Sequence, residues 1–224
     1  VAGSGDLVLK IRAATICGTD IRIFRGRKTA GVRYPSIIGH EFSGEVVEAS
    51  KGSAFAVGQR VGVCPALPCG HCEQCIRGLE NLCPNLQAIG YEIDGAFAEY
   101  IRIPAKAMAL GNIHALPTTI SHEEAALIEP LACVLNGQNK VDIRQGESVV
   151  ILGSGPIGTM HIKLADEERP AIGDTWVKVP NGWKRCMGDN YEDQYAFCFG
   201  NYKDFSGFQM PDGRQCTIYP GCTE

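Results

Sequence analysis

Two groups of residues in this 224-residue chain have the types and spacing of metal ligands. The tighter group is Cys69, Cys72, Cys75 and Cys83, in the run Cys-Gly-His-Cys-Glu-Gln-Cys, with Cys83 a short loop further on. Two-residue gaps let one tight loop aim successive sulfurs at a single point, and Zn²⁺ takes four tetrahedral ligands about 2.3 Å from sulfur. Two disulfides or four unrelated buried thiols are the alternatives. Thiols this crowded make poor disulfide partners, because a disulfide needs Cα atoms roughly 4.4–6.8 Å apart in a set orientation. Four thiolates would fill the shell, so the spacing predicts a closed, structural zinc site.

The second group is scattered. Cys17 lies in Ile16-Cys17-Gly18-Thr19-Asp20, His40 and Glu41 follow Ile38-Gly39, and Glu129 precedes Pro130. A thiolate, an imidazole and two carboxylates make the ligand set of a catalytic zinc that keeps one position open. Each has a blander reading. A free cysteine is often a small buried hydrophobe, and a lone histidine is often a satisfied polar residue. Asp20 is either a solvated turn residue or the acceptor that fixes the His40 tautomer. A third motif follows the apolar run Val149-Val150-Ile151-Leu152: Gly153-Ser154-Gly155-Pro156-Ile157-Gly158. A lone GxGxxG is weak. Here it joins a strand to a helix-like stretch, Ile157 to Ala165, which is the setting of a dinucleotide-binding turn.

The elements around these motifs are mostly short strands. Leu7 to Ala13, Gly44 to Glu48 and Gln59 to Val63 read as three of them, punctuated by glycine and polar turns. Ser121-His122-Glu123-Glu124 reads as an N-cap with an acidic first turn. Pro130 is expected to kink or restart the helix that follows. Gly137 to Gln145 is polar and helical at best in part. Cys64 and Cys133 read as small buried residues. His114 and His122 are expected to face solvent, and His71 lies beside thiols that already complete a zinc site.

Taken in order, Cys-Gly-Thr-Asp, Gly-His-Glu, the four-cysteine lobe, Gly95-Ala96-Phe97-Ala98-Glu99-Tyr100, Glu-Pro-Leu and the glycine fingerprint resemble the zinc-containing medium-chain dehydrogenase/reductase family, in its sorbitol (polyol) and threonine dehydrogenase branch. The resemblance runs from about Leu7 to Ala165. It implies a mixed β and α/β fold: a GroES-like β-barrel catalytic domain over 1–140, and the first βα unit of a Rossmann-like NAD(P)-binding domain over 141–165. It implies two zinc ions. One is structural, on the lobe. The other is catalytic, on Cys17, His40 and either Glu41 or Glu129. Gly153, Gly155, Pro156, Ile157 and Gly158 would hold the pyrophosphate of NAD or NADP. The implied reaction is hydride transfer between a zinc-bound secondary alcohol or polyol and NAD(P), with the Thr19 hydroxyl accepting and passing on the proton. Some relatives carry a relay histidine where this chain has Arg22. The family also implies a homo-oligomer.

Composition sets the remaining bounds. The net charge of −4 is mild and mixed, so it argues against nucleic acid and anionic membrane surfaces as partners. No apolar run approaches the roughly 20 residues of a membrane span, no basic-plus-apolar leader is legible, and the expected setting is cytoplasmic. After Ala165 the composition breaks. Residues 166–224 hold 6 basic and 10 acidic side chains, both tryptophans, four of the eleven cysteines and no leucine. This segment has no legible βα alternation, and the position of the ribose selector falls near Lys178. Cys186, Cys198, Cys216 and Cys222 suggest a disulfide-stapled module. Two expectations follow: a cofactor domain truncated in this chain, with weak NAD(P) binding and little turnover, or a remnant scaffold whose tail is a non-catalytic binding module.

Overall fold

A computed structural model describes residues 5–141, 149–153 and 155–167, together with four short strands between 175 and 216. The chain forms two compact units, Val1–Glu129 and Pro130–Glu224.

In the first unit β1 (Leu7–Thr15) leads to a short helix α1 (Gly18–Phe24), then β2 (Glu41–Ala49) and β3 (Arg60–Val63). A two-stranded pair, β4 (Ala66–Leu67) and β5 (Gln87–Ala88), brackets α2 (Glu73–Ile76). The chain continues through β6 (Tyr100–Ile103), α3 (Ala105–Ala109), β7 (Ile113–Ala115) and α4 (His122–Ala126). The main sheet is antiparallel, in the order β6-β1-β2-β3-β7. The strand expected over Leu7 to Ala13 forms: Leu7 and Leu9 are fully buried, while Val8 and Lys10, which alternate with them, are only partly covered. They pack with Phe42, Val46, Val61, Ile89, Ile101 and Ile103. Register shifts at Val8/Leu9 and Ile11/Ala13 bend β1 and let the sheet curl around this core.

The Ser121 cap forms as expected. Its hydroxyl accepts from the Glu124 N–H, and the Glu124 carboxylate accepts from the Ser121 N–H. Helix α5 (Ile128–Val141) begins immediately after α4, so Pro130 restarts a helix and does not kink one. It occupies the first turn, where its missing N–H has no intrahelical partner to lose.

In the second unit β8 (Val150–Ile151) feeds α6 (Pro156–Glu167). Then β9 (Thr175–Val179) lies parallel to β8, with Val150 opposite Trp176, and β10 (Gly182–Cys186) returns antiparallel to β9. The β8–α6–β9 succession is a parallel βαβ arrangement where the sequence offered no βα alternation beyond Ala165. A further pair, β11 (Phe208–Gln209) and β12 (Gln215–Cys216), is antiparallel. Cys198 and Cys222, and with them the expected tail pairing, lie outside the described residues. No helix among the described residues is long and apolar enough to cross a membrane.

Candidate active site

The lobe is built from one stretch of chain. Cys72 caps α2 and Cys75 sits in it, while a 3-10 turn over Glu80–Leu82 delivers Cys83. All four sulfurs lie within 4.8 Å of one another. The sulfurs lie 3.9 Å apart for Cys69 and Cys75, 3.4 Å for Cys72 and Cys75, and 3.9 Å for Cys72 and Cys83. Tetrahedral bonds of about 2.3 Å hold sulfurs about 3.8 Å apart, so the donors fit a zinc ion. Backbone N–H groups donate to them, from Cys69 to the Cys83 sulfur at 3.3 Å and from Cys72 to the Cys69 sulfur at 3.4 Å. The His71 N–H, with that of Cys72, lowers the Cys69 thiol to about 6, whereas burial and the neighbouring thiols push Cys75 up to about 12. The exposed ring of His71 bonds the Cys69 carbonyl at 2.9 Å.

The scattered group converges in part. One ligand atom each from Cys17, His40 and Glu41 lie within 4.8 Å of one another. Glu129 is not in that trio, though its charge reaches Tyr91. The fold explains the convergence. Cys17 caps α1, its sulfur accepting from the Thr19 N–H at 3.5 Å while Asp20 accepts from the Cys17 N–H at 2.9 Å. The other oxygen of buried Asp20 faces His40 Nδ1 at 3.1 Å. A carboxylate only accepts, so Nδ1 carries a hydrogen, and in the neutral ring that a metal requires the lone pair is on Nε2. Glu41 opens β2 opposite Thr15 of β1, and the Thr15 hydroxyl donates to its carboxylate. Behind His40 the backbones touch. A Cβ on Gly95 would lie 2.3 Å from the Gly39 carbonyl oxygen, so no larger residue fits without moving the loop that carries His40.

Burial works against a charge on the His40 ring. The Asp20 carboxylate and the Cys17 sulfur overcome it and raise the ring to about 10. The same concentration of negative potential is what a divalent cation requires, so this donor set also fits a metal.

Tyr91 is the residue that sequence reasoning missed. Its ring centroid is 5.2 Å from that of His40, and its hydroxyl lies near the Thr19 side chain. Burial, then the nearby Cys17, push the phenol up to about 12, so it is neutral at ordinary pH. No local spacing ties Tyr91 to Cys17; only the fold does. Three other expectations need correction. Cys64 and Cys133 are exposed, not buried. His122 is half-covered, bonded by Ser43 at 3.0 Å and by Arg60 at 3.3 Å, because α4 packs on the sheet.

Two glycines shape the described part of the glycine turn. Gly153 has φ 106°, and a Cβ on Gly158 would lie 1.9 Å from the Gly153 carbonyl oxygen, so α6 can abut the strand only through glycine. Beside Gly155 the space is open. Pro156 takes the first helical position, Ile157 follows it, and the Thr159 N–H closes the first turn on the Gly155 carbonyl at 2.9 Å.

Residues 3–118 match the family model for the alcohol dehydrogenase GroES-like domain. The chain belongs to the zinc-type medium-chain dehydrogenase family. It is 39% identical over 168 residues to L-threonine 3-dehydrogenase of Chelativorans sp. (strain BNC1), covering 73% of this chain and 46% of the relative. It is 36% identical over 166 residues to sorbitol dehydrogenase of Bacillus subtilis (strain 168), covering 71% and 45%. A structure from Sinorhizobium meliloti 1021, assigned as a zinc-binding dehydrogenase and bound to NADP, superposes with a TM-score of 0.71 at 39% identity, over 79% of this chain and 49% of that one. The alcohol dehydrogenase RspB of Escherichia coli CFT073, complexed with NADH, gives 0.70 at 32% identity, over 79% and 50%. The chain thus spans about half the length of the relatives it matches.

Proposed function

We propose that this chain carries the metal-binding catalytic part of a zinc-dependent oxidoreductase that exchanges hydride between a secondary alcohol or polyol and NAD(P). The observation that carries the proposal is the convergence of Cys17, His40 and Glu41, with the Thr19 N–H donating to the Cys17 sulfur. Cys17, His40 and Glu41 would hold the catalytic ion, with Glu129 the alternative carboxylate, and Cys69, Cys72, Cys75 and Cys83 the structural one. When bound, zinc would supply Lewis-acid polarisation of an alcohol oxygen and the nicotinamide a hydride acceptor.

The chain's own residues do the rest. Asp20 holds His40 in the Nδ1–H tautomer, which leaves Nε2 free to ligate. Thr19 Oγ accepts the alcohol proton as it gives up its own to solvent water, and the Tyr91 hydroxyl lies near it. Glu41 is held in place by the Thr15 hydroxyl. Gly153, Gly155 and Gly158, with Pro156 and Ile157 opening the helix behind them, receive the pyrophosphate of NAD or NADP at the start of α6. In this reading residues 1–140 form the catalytic domain and 141–165 open the nucleotide-binding domain. The working form is a cytoplasmic homo-oligomer, without nucleic acid or membrane partners.

The test is metal analysis of the zinc-replete chain. About two zinc ions per chain are expected, one for each donor set, falling to about one in Cys17→Ser. A parent value near one, unchanged by that substitution, would sink the catalytic site. Titration with NADH, and assay with sorbitol and threonine, then measure how much of the reaction this chain supports.

A further inference from the structure

We propose that the substrate of this pocket carries an anionic group, a carboxylate or a phosphate, and that Lys28 recognises it. The inference rests on the reading of the pocket above and narrows its substrate class.

Although the net charge of the chain is −4, residues 22–33 contain Arg22, Arg25, Arg27, Lys28 and Arg33 and no acidic residue. Arg33 is paired with Asp94. Among the described residues none of the other four has an ion-pair partner. Arg22, Arg25 and Arg27 are exposed, but Lys28 is half-buried. Its Nζ lies 5.4 Å from the centroid of the Tyr91 ring, whose centroid is in turn 5.2 Å from that of His40.

The placement of Lys28 is fixed by the chain. Its N–H donates to the Arg22 carbonyl at 3.2 Å, folding the segment back onto α1, and its own carbonyl accepts from the Tyr34 hydroxyl at 2.9 Å. The carboxylates on the facing loop are engaged elsewhere. Asp94 pairs with Arg33 and accepts from the Ile37 N–H at 3.0 Å, and Glu92 accepts from the Ala88 N–H at 2.9 Å. A half-buried ammonium held over an aromatic face, with nearby carboxylates committed, has unused capacity for an incoming anion. Lys28 lies over the ring of Tyr91, and the Thr19 side chain lies near its hydroxyl. One short molecule can therefore present its alcohol at Thr19 and its charge at Lys28. Arg22, one helical turn after Thr19 on α1, adds to the positive field on that side.

The test is calorimetric titration of the zinc-loaded full chain with sorbitol, gluconate and sorbitol 6-phosphate. The two anionic probes separate carboxylate from phosphate recognition. We expect at least one of them to bind about tenfold or more tightly than sorbitol, with the advantage shrinking as salt rises. Lys28→Met should reduce the advantage to less than about twofold, and Lys28→Arg should keep most of it. Equal affinity for sorbitol and both anions, or an advantage that survives Lys28→Met, overturns the proposal and leaves the proposed function standing. If none of the three probes binds although two zinc ions are present, the proposed function falls and this inference falls with it.

Discussion

In the lobe, all four sulfurs come from the fifteen residues between Cys69 and Cys83, held by one turn of helix and one 3-10 turn. In the pocket, Cys17 comes from a helix cap, His40 from a loop packed on Gly95, and Glu41 from the start of a strand. Two of the three pocket donors have a protein partner remote in sequence, Asp20 for His40 and Thr15 for Glu41, while Cys17 is held by the backbone of the helix it caps. The lobe is a local knot whose shape a metal can complete. The pocket is a product of the whole sheet. The first should therefore depend on its metal for its structure, and the second on the fold for its metal.

The sharpest way to break that distinction is Cys75→Ser. A structural zinc contributes about 10–16 kcal/mol of apparent binding energy to small metal folds. Removing one of four thiolates should lower the zinc content by about one ion per chain. It should also open the lobe to trypsin at the exposed Arg77, while the pocket keeps its ion. Metal analysis and timed proteolysis read both effects. Loss of both ions would show that the pocket leans on the lobe after all.

The same contrast explains what could be read from the residues alone. Cysteine spacing is local information, so the gathering of the four lobe sulfurs was legible. So were β1 and the Ser121 cap, because alternation and capping act within a few residues. That Glu41 lies within reach of Cys17 and His40 was not legible. It depends on the Thr15–Glu41 register of β1 with β2, which no motif encodes. Tyr91 was missed for a related reason, since it meets Thr19 across more than seventy residues of chain. Cys64 and Cys133 were read as buried because a lone cysteine usually is, but nothing local says which side it faces. Strand β9 is five residues long and set among turn-forming sequence, too short to stand out until it pairs with β8.

Asp20→Asn sharpens the comparison from the other side. The substitution keeps the shape and removes the charge that holds His40 Nδ1–H. Loss of such a supporting carboxylate typically costs 10–100-fold in metal affinity. Chelator competition should show that loss for one ion only, with the lobe ion unaffected. Equal weakening of both ions would mean that Asp20 supports the fold at large and has no specific role at the pocket.

The smallest effect concerns His122, 79 residues from the Ser43 it bonds. Arg60 donates to His122 Nε2 at 3.3 Å, so Nδ1 carries the ring hydrogen and donates to the Ser43 hydroxyl at 3.0 Å; that hydroxyl in turn donates to the His122 carbonyl at 2.7 Å. Burial, then the Arg60 and Arg12 charges, hold the ring below its usual 6.5, against the pull of Glu123 and Glu45. The unfolded chain therefore takes up the proton first. The contribution of His122 to stability is complete above pH 6.5 and fades as the pH falls through that value toward the lower folded pKa. The ring is partly exposed, so solvent screens the effect and keeps it small. Urea midpoints at pH 7.5 and 5.5 should differ less in His122→Gln than in the parent. Every other titrating group is common to both proteins, so the difference between the two shifts isolates this ring. Ser43 lies two residues from Glu41 on β2, so acid weakening through His122 should loosen the pocket's frame. If the lobe is the local knot its sequence implies, its retention of zinc at pH 5.5 should be the same in both proteins.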